Sequence, residues 1–169
     1  MTPVATPFFF YLLSGLAVVS GILVITRKNP VHSAIALIFT LLALAGLYLM
    51  LYAPFVAGVQ IILYAGGIMV LFLFVIMLVN IERSQKEAQF NKQWIVGVVA
   101  TAAVGTLFVL AFTRGKNVFP DRVLQLPEQS NTQQVAVWLY GNYMLPFEIA
   151  SLLLLVAIVG AVVMAKKRI

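Results

Sequence analysis

The sequence predicts an all-α integral membrane protein with five transmembrane helices, its N-terminus outside and its C-terminus in the cytoplasm. Of its 169 residues, 63% are hydrophobic and only 9% are charged. A soluble domain carries roughly 25% charged residues and could not bury this much apolar surface. An intrinsically disordered chain is also excluded, because disorder requires low hydrophobicity and high charge. The apolar residues form five runs, each near the roughly 20 residues that a helix needs to cross a bilayer.

The whole chain, 1–169, is interpreted as one membrane domain. The predicted spans lie at about 8–26, 31–51, 55–79, 94–113 and 146–165, with an external loop at 114–145. The spans must be helical, since an open sheet leaves backbone groups unpaired in lipid, and the runs are too long and uniform for barrel strands. The first run is predicted to be a retained helix, because positive charge follows it and does not precede it.

The connections between spans differ in kind. The turns Lys28–Pro30 and Tyr52–Pro54 are short, and the second turn predicts that spans two and three pack as an antiparallel pair. The second half of the external loop opens with the cap residues Ser130-Asn131-Thr132, and apolar residues near helical spacing follow, which predicts a short helix on the outer face.

The distribution of basic residues predicts the orientation. With five spans, eight Lys and Arg residues lie on one side of the membrane and three on the other. The positive-inside rule makes the first side cytoplasmic. The net charge of +6 comes from Lys and Arg residues that cluster between the apolar runs, as expected for residues that set membrane topology. No nucleic-acid partner is therefore expected.

The residues limit the chemistry of this chain. Cysteine is absent and His32 is the only histidine, so the sequence offers no thiolate cluster, nucleophilic thiol or two-histidine metal site. No charged residue lies in the middle of any span, although intramembrane proton paths are normally marked by such residues. We therefore expect no catalytic, metal-binding or cofactor-binding residue in this chain.

The third span is the unusual one. Gln60 and Tyr64 lie one helical turn apart, and the pair Gly66-Gly67 follows. One interpretation is helix packing, with small residues allowing close approach and polar ones bonding between helices. The other is a point where the helix leaves α geometry, since glycines lower that penalty and π-bulges are frequent at functional sites.

Small residues also recur every four positions in two other spans. They are Gly97, Thr101 and Gly105 in the fourth span, and Ala157, Ala161 and Ala165 in the fifth. Such faces favour close helix packing, either within this chain or against other membrane subunits.

His32 and Glu148 are further polar candidates at the membrane boundary. His32 follows Pro30, where it either anchors the start of the helix or exchanges protons near neutral pH. Glu148 is expected in the first turn of the fifth span, where the helix dipole favours a carboxylate. Its alternative role is to line a hydrated cavity.

Three stretches together resemble the subunit J family of bacterial respiratory complex I, the counterpart of mitochondrial NADH dehydrogenase subunit 6. They are Gln60–Phe72, Asn29–Ser33 and Leu145–Leu155. The first resembles the family's third helix, and the other two resemble the starts of its second and fifth helices. The similarity runs in the same order from about Arg27 to Ala165.

The resemblance implies a non-redox membrane subunit of a proton-translocating NADH:quinone oxidoreductase in the bacterial cytoplasmic membrane. FMN, the iron–sulfur clusters and the NADH site are implied in partner subunits, with quinone as the substrate of the complex. The implied neighbours are subunits K, H, A and N, within the lipid bilayer.

The family's third helix is known for a π-bulge that is thought to gate proton transfer coupled to quinone reduction. The positions that match this motif are Tyr64, Gly66, Gly67, Met69, Val70 and Phe72. Gln60 departs from some bacterial members, which have Glu there, so a carboxylate cannot act at this position.

Three other functions stay open at this point. The chain could have the same role in a complex I relative that uses another electron donor, since other subunits bind the donor. It could be a structural scaffold without a gating role. A stand-alone transporter would need polar residues at mid-membrane, and only Gln60 and Tyr64 come near that requirement.

Overall fold

The computed structural model describes residues 7–79, 94–114 and 130–166. Five helical spans in this part are long and apolar enough to cross a membrane, which confirms the prediction of an all-α protein with five spans. The predicted loop at 80–93 and the irregular segment at 115–129 lie outside the described residues. The first two spans are α1 (Pro7–Thr26) and α2 (Pro30–Met50). The third span consists of α3 (Pro54–Val59), a π-helix (Gln60–Ile68) and α4 (Met69–Leu78). The remaining helices are α5 (Trp94–Arg114), α6 (Asn131–Gly141) and α7 (Met144–Ala165).

Helix α2 begins with a side-chain cap. The Asn29 Oδ1 atom accepts a hydrogen bond of 2.9 Å from the Val31 N–H, which satisfies one of the unpaired donors at a helix start. Pro30 occupies the first helical position, where its missing N–H is not needed. The sequence of this short turn thus fixes where α2 begins.

The α2–α3 turn is a Schellman motif with a tyrosine in the position that glycine usually takes. The Ala53 N–H donates to the Tyr48 carbonyl at 3.0 Å, and the Tyr52 N–H donates to the Leu49 carbonyl at 3.1 Å. Tyr52 has a φ of 56°, in the left-handed region. This reversal sends the third span back along α2, as the short loop predicts.

Helix α2 lies at the centre, packed against α1 and against the third span. On the α1 side, the Thr40 hydroxyl donates a 2.8 Å hydrogen bond to the Ser20 hydroxyl, which in turn donates to the Leu16 carbonyl. A Cβ placed on Gly46 would lie 2.8 Å from Leu13 Cδ1, so the two helices approach closely there.

The residues buried in this bundle are mostly small. Apart from Met69, they are alanines and one serine: Ser20, Ala34, Ala36, Ala43, Ala45, Ala57 and Ala65. In lipid there is little hydrophobic gain from helix association, and small residues strengthen packing by letting backbones approach. The bundle of α1, α2 and the third span is therefore held mainly by close backbone contact.

The remaining helices have little burial within the chain. Helix α6 packs against α3 and α7, and the Phe55 N–H donates to the Asn131 Oδ1 at 3.3 Å. The rings of Tyr140 and Phe147 form an edge-to-face contact with centroids 5.5 Å apart. No residue of α5 or α7 is buried, and α5 has no extensive packing against another described helix.

Helix α6 is the short helix that the residues after Ser130 predict, although the cap differs from the expected one. Ser130 is the N-cap residue, but its hydroxyl makes no capping hydrogen bond. The next residue, Asn131, directs its side-chain oxygen to the backbone of α3. A tertiary contact has therefore replaced a local one at this helix start.

Candidate functional site

The middle of the third span is π-helical over nine residues, Gln60–Ile68. At its start, the Gln60 N–H still points to the carbonyls of Val56 and Ala57, as in ordinary helical turns. At its end, the Met69 N–H bonds to the Tyr64 carbonyl, five residues earlier. The π-helix is rare, and most examples are single turns within α-helices at functional sites. A segment of nine residues is therefore the most distinctive backbone feature of the described chain.

The two glycines lie in the second half of this segment and differ in the space around them. A Cβ on Gly66 would lie 3.2 Å from the Ile61 carbonyl oxygen, which is a tight contact with the backbone. A Cβ on Gly67 would lie 3.8 Å from the Ile62 carbonyl oxygen, which is ordinary van der Waals contact. The π geometry therefore restricts the side chain at position 66 more than at position 67.

The π-helix presents one face to α2. Ala65 is 8% exposed and Met69 is 5% exposed, so these two residues form the buried side. Both Leu73 and Ile76 continue this face along α4 as half-buried residues. The third span therefore contacts α2 through Ala57, Ala65, Met69 and the residues that follow at helical spacing.

The residues of the predicted gate do not all lie together. Met69 packs on α2, whereas Tyr64, Val70 and Phe72 are between 45% and 48% exposed on other faces of the span. Gly66 and Gly67 are also exposed. The described chain therefore presents most of these residues outward, toward lipid or another molecule.

Gln60 and Tyr64 do not form a joint polar site. Gln60 is half-buried at the start of the π-helix, while Tyr64 is exposed. Within the described residues, neither side chain has a hydrogen bond to another side chain. The residue that takes the buried place one turn after Gln60 is Ala65, because the π-helix has more residues per turn than the α-helix assumed from the sequence.

His32 and Glu148 lie on other helices than the π-helix: His32 on α2 and Glu148 on α7. His32 is the third residue of α2, exposed, and it lines a groove with Arg27 and Phe39. Glu148 is exposed and is the fifth residue of α7, which begins at Met144. The prediction of Glu148 in the first turn was wrong, since Pro146 is tolerated within the first turn and the helix begins before it. Its interaction with the helix dipole is correspondingly weaker.

Two hydrogen bonds that join distant parts of the chain were not predicted from the sequence. One is the Ser20–Thr40 bond between α1 and α2, and the other is the Phe55–Asn131 bond between α3 and α6. Ser and Thr within apolar runs are a general signal for interhelical bonding. The choice of partners, however, depends on helix rotation, which a uniformly apolar sequence does not encode.

The polar chemistry of the described part is sparse. Glu148 is the only carboxylate in residues 7–79, 94–114 and 130–166, and these residues include no group of three His, Asp or Glu side chains that could hold a metal ion. The distinguishing feature is thus one of backbone geometry: the fold defines a polytopic α-helical membrane protein with an extended π-helix in its third span.

The chain belongs to the NADH-ubiquinone/plastoquinone oxidoreductase chain 6 family, whose sequence profile matches residues 20–164. This match includes the π-helix, all of α2 and almost all of α7. It confirms the resemblance that the three sequence stretches indicate.

Relatives from several organisms support the same assignment. The chain is 40% identical to NADH-quinone oxidoreductase subunit J of Pseudomonas aeruginosa, with 91% of this chain and 93% of the relative covered. It is 33% identical to subunit J of Rickettsia bellii, with coverage of 96% and 81%. It is 38% identical to NAD(P)H-quinone oxidoreductase subunit 6 of the organellar chromatophore of Paulinella chromatophora, with coverage of 94% and 77%. With its five spans, the chain is a multi-pass protein of the bacterial inner membrane.

Proposed function

We propose that this chain is a core membrane subunit of a proton-translocating NADH:quinone oxidoreductase, and that its π-helix gates proton transfer coupled to quinone reduction. The observation that carries the gating proposal is the nine-residue π-helix at Gln60–Ile68 in a span without charged residues. The names of the relatives support the assembly. A gate needs a change of shape and no charge of its own.

Reversion of the π-helix to α geometry would change the face that packs on α2. If α3 stays in place and the span continues with 3.6 residues per turn from Ala57, the positions that face α2 become Tyr64 and Ile68. In the π form the corresponding residues are Ala65 and Met69. The register thus shifts by one residue, a rotation of about 100°.

This rotation provides a physical switch for a water path. In the π form Met69 is buried on α2 and Tyr64 is outside. In the α form Met69 turns away and the larger Tyr64 turns inward. Bulky apolar side chains at a constriction exclude water when they turn into it, and a path without water cannot carry protons.

Electron transfer belongs to partner subunits in this proposal. The sequence has no cysteine to hold an iron–sulfur cluster, so FMN, iron–sulfur clusters and the NADH site are assigned to other subunits, and this chain has no catalytic residue of its own. Partners also supply the carboxylates of the proton path. The exposed faces of α5 and α7 favour burial against such partners, for which the family implies subunits K, H, A and N.

The gating proposal is tested by a pair of glycine variants in the assembled complex. Gly66→Ala places a Cβ in tight contact with the Ile61 carbonyl oxygen in the π form, whereas Gly67→Ala meets only an ordinary contact. Both gain the helix propensity of alanine, about 1 kcal/mol, so their difference isolates the π geometry. We expect Gly66→Ala to lower coupled NADH:quinone turnover and proton pumping by severalfold relative to Gly67→Ala.

The control is NADH oxidation by a hydrophilic electron acceptor that bypasses quinone, which should be equal in both variants. Equal coupled turnover in the two variants would contradict gating. Loss of assembled complex, with normal coupling in what assembles, would instead favour a structural scaffold.

The orientation is part of the proposal: the N-terminus lies outside and the C-terminus in the cytoplasm. It is supported by the excess of basic residues on one side. A reporter that is active only outside the cytoplasm, fused after Ile169, should be inactive. Activity of this fusion would reverse the orientation.

A second candidate is the same membrane role in a complex I relative with a different electron donor. The Paulinella relative is named for NAD(P)H, which supports a donor that is not restricted to NADH. Purification of the complex through a C-terminal tag in mild detergent identifies the electron-input proteins. Co-purified flavin and NADH-binding proteins support the first function, and a ferredoxin-binding module supports the second. A small particle without redox proteins would contradict both.

A further inference from the structure

Two grooves lined mainly by apolar residues lie close to the α1–α2 turn. One is formed by α1, α2 and α4, the other by α1 and α2, and each encloses about 360 Å³. The walls of the first include Val24, Leu37, Phe72 and Ile76. The walls of the second include Leu23, Ile35 and Phe39. Both grooves run along α2 for about 10 Å, since seven residues separate their first and last α2 positions.

Cationic side chains lie at the same end of both grooves. Arg27 lines both of them, and Lys28 lines the first. Both residues are exposed, and no described carboxylate pairs with either of them. The only described carboxylate, Glu148, is near the start of α7, which follows α6 and so lies toward the α2–α3 end of the bundle. Within the described residues, the charge of this pair is therefore left to bind an anion.

We propose that this surface is a binding site for an anionic phospholipid, with the headgroup phosphate on Arg27 and Lys28 and one acyl chain in each groove. The position is at the end of two apolar spans, where headgroups meet hydrocarbon. Basic pockets between transmembrane helices bind anionic headgroups. Two mainly apolar grooves that are both lined by Arg27 match the two chains of such a lipid, whereas a free phosphate would leave both grooves unfilled.

The lipid in the first groove contacts the third span directly after the π-helix. Phe72 and Ile76 belong to α4, and they line this groove together with Leu37 of α2. An acyl chain there packs against the α2–α4 seam. The binding site follows from charge and shape and does not depend on the proposed gating.

The test is photo-crosslinking of the assembled complex in phosphatidylcholine vesicles with a photoactivatable phosphatidylglycerol, its reactive group on the acyl chain. In the wild type we expect labelling of the α4 peptide that contains Phe72 and Ile76. Each basic residue near a membrane surface contributes about a fivefold gain in affinity for anionic lipid. The double variant Arg27→Gln with Lys28→Gln should therefore lower this labelling by roughly thirtyfold.

Two further variants separate the site from general surface charge and from misfolding. Lys166→Gln removes a basic residue that follows α7 and lines neither groove, so it should leave the labelling unchanged. Leu37→Trp fills the first groove and keeps all charges, so it should abolish labelling of α4. If the double variant does not assemble, Leu37→Trp alone decides the outcome.

Several results would overturn the proposal. One is equal labelling by photoactivatable phosphatidylglycerol and phosphatidylcholine, and another is unchanged labelling in the variants that alter the site. Displacement of the lipid by inorganic phosphate at matched concentration would assign the cations to a soluble anion. Absence of α4 labelling in the wild-type complex would mean that a protein subunit covers the grooves.

Discussion

The two halves of this chain differ in how much their helices pack against one another within the chain. In the first half, α2 and the third span bury alanines, and Ser20, the buried residue of α1, forms an interhelical hydrogen bond with Thr40 of α2. In the second half, α5 and α7 have the same apolar character and no buried residue. Equal hydropathy therefore does not produce equal packing within the chain. The first half is organised by its own contacts, and the second half requires lipid or partner helices to complete it.

The largest expected effect comes from breaking the closest contact of the first half. Gly46→Leu would place side-chain atoms where Leu13 Cδ1 now lies, because a Cβ on Gly46 would already be only 2.8 Å from that atom. Overpacking of this kind typically costs about 1–3 kcal/mol. We expect a loss of this size in the free energy of unfolding, measured by SDS titration of the purified chain in detergent micelles.

The matched control is Gly15→Leu, since a Cβ on Gly15 meets nothing within 4 Å. It lies on α1, as Leu13 does, and adds the same side chain. A loss of stability as large as that of Gly46→Leu would mean that the α1–α2 seam is not the sensitive contact.

An intermediate effect is expected at the link between the halves. Asn131→Ala removes the acceptor of the Phe55 N–H hydrogen bond, the one described side-chain bond between α3 and α6. Loss of a hydrogen bond of this kind typically costs about 1 kcal/mol. Amide hydrogen exchange at Phe55 should become about fivefold faster, as this free energy implies.

Asn142→Ala serves as the comparison for this variant, because Asn142 is at the other end of α6 and caps with its backbone N–H only. In the Asn142→Ala variant, the amide hydrogen of Phe55 should exchange at the same rate as in the wild type. Equal protection in all three proteins would show that packing, and not this bond, holds α6 on α3.

The smallest expected effect is the coupling between Ser20 and Thr40. In a double-mutant cycle of Ser20→Ala and Thr40→Val, we expect an interaction energy near the average of about 0.6 kcal/mol for such bonds in membranes. The value is small because each hydroxyl also has a carbonyl of its own helix within reach, Leu16 for Ser20 and Ala36 for Thr40. SDS unfolding of the wild type, the two single variants and the double variant measures this interaction energy. A value of zero would mean that the Ser20–Thr40 contact does not contribute to stability.

The sequence was sufficient to predict what depends on composition and local chemistry. Long apolar runs predict five helices, and Pro30 and Pro54 mark the starts of two of them. The residues after Ser130 predict α6. The Gly66-Gly67 pair indicates a point of altered geometry, and it lies within the π-helix.

What the sequence could not predict depends on helix rotation and on hydrogen-bond register. The spans are apolar on all sides, so no amphipathic pattern indicates that Ala65 is buried and Tyr64 exposed. The π-helix begins at Gln60, six residues before Gly66, so the glycines do not mark its start. The start of α7 at Met144 was missed because a proline near a helix start is compatible with several boundaries.

The alanines of α2 have a consequence for motion. Ala34 and Ala45 are eleven residues apart and therefore share one face of α2, and Ala34 lines a groove with Phe72 and Ile76 of α4. This face has low relief, because each of the two side chains is a single methyl group without rotamers. Interlocking knobs and holes would hold a neighbouring helix in one register, and a smooth surface offers fewer such obstacles. Such a face on α2 would offer little resistance to the one-residue turn of the third span that the gating proposal requires.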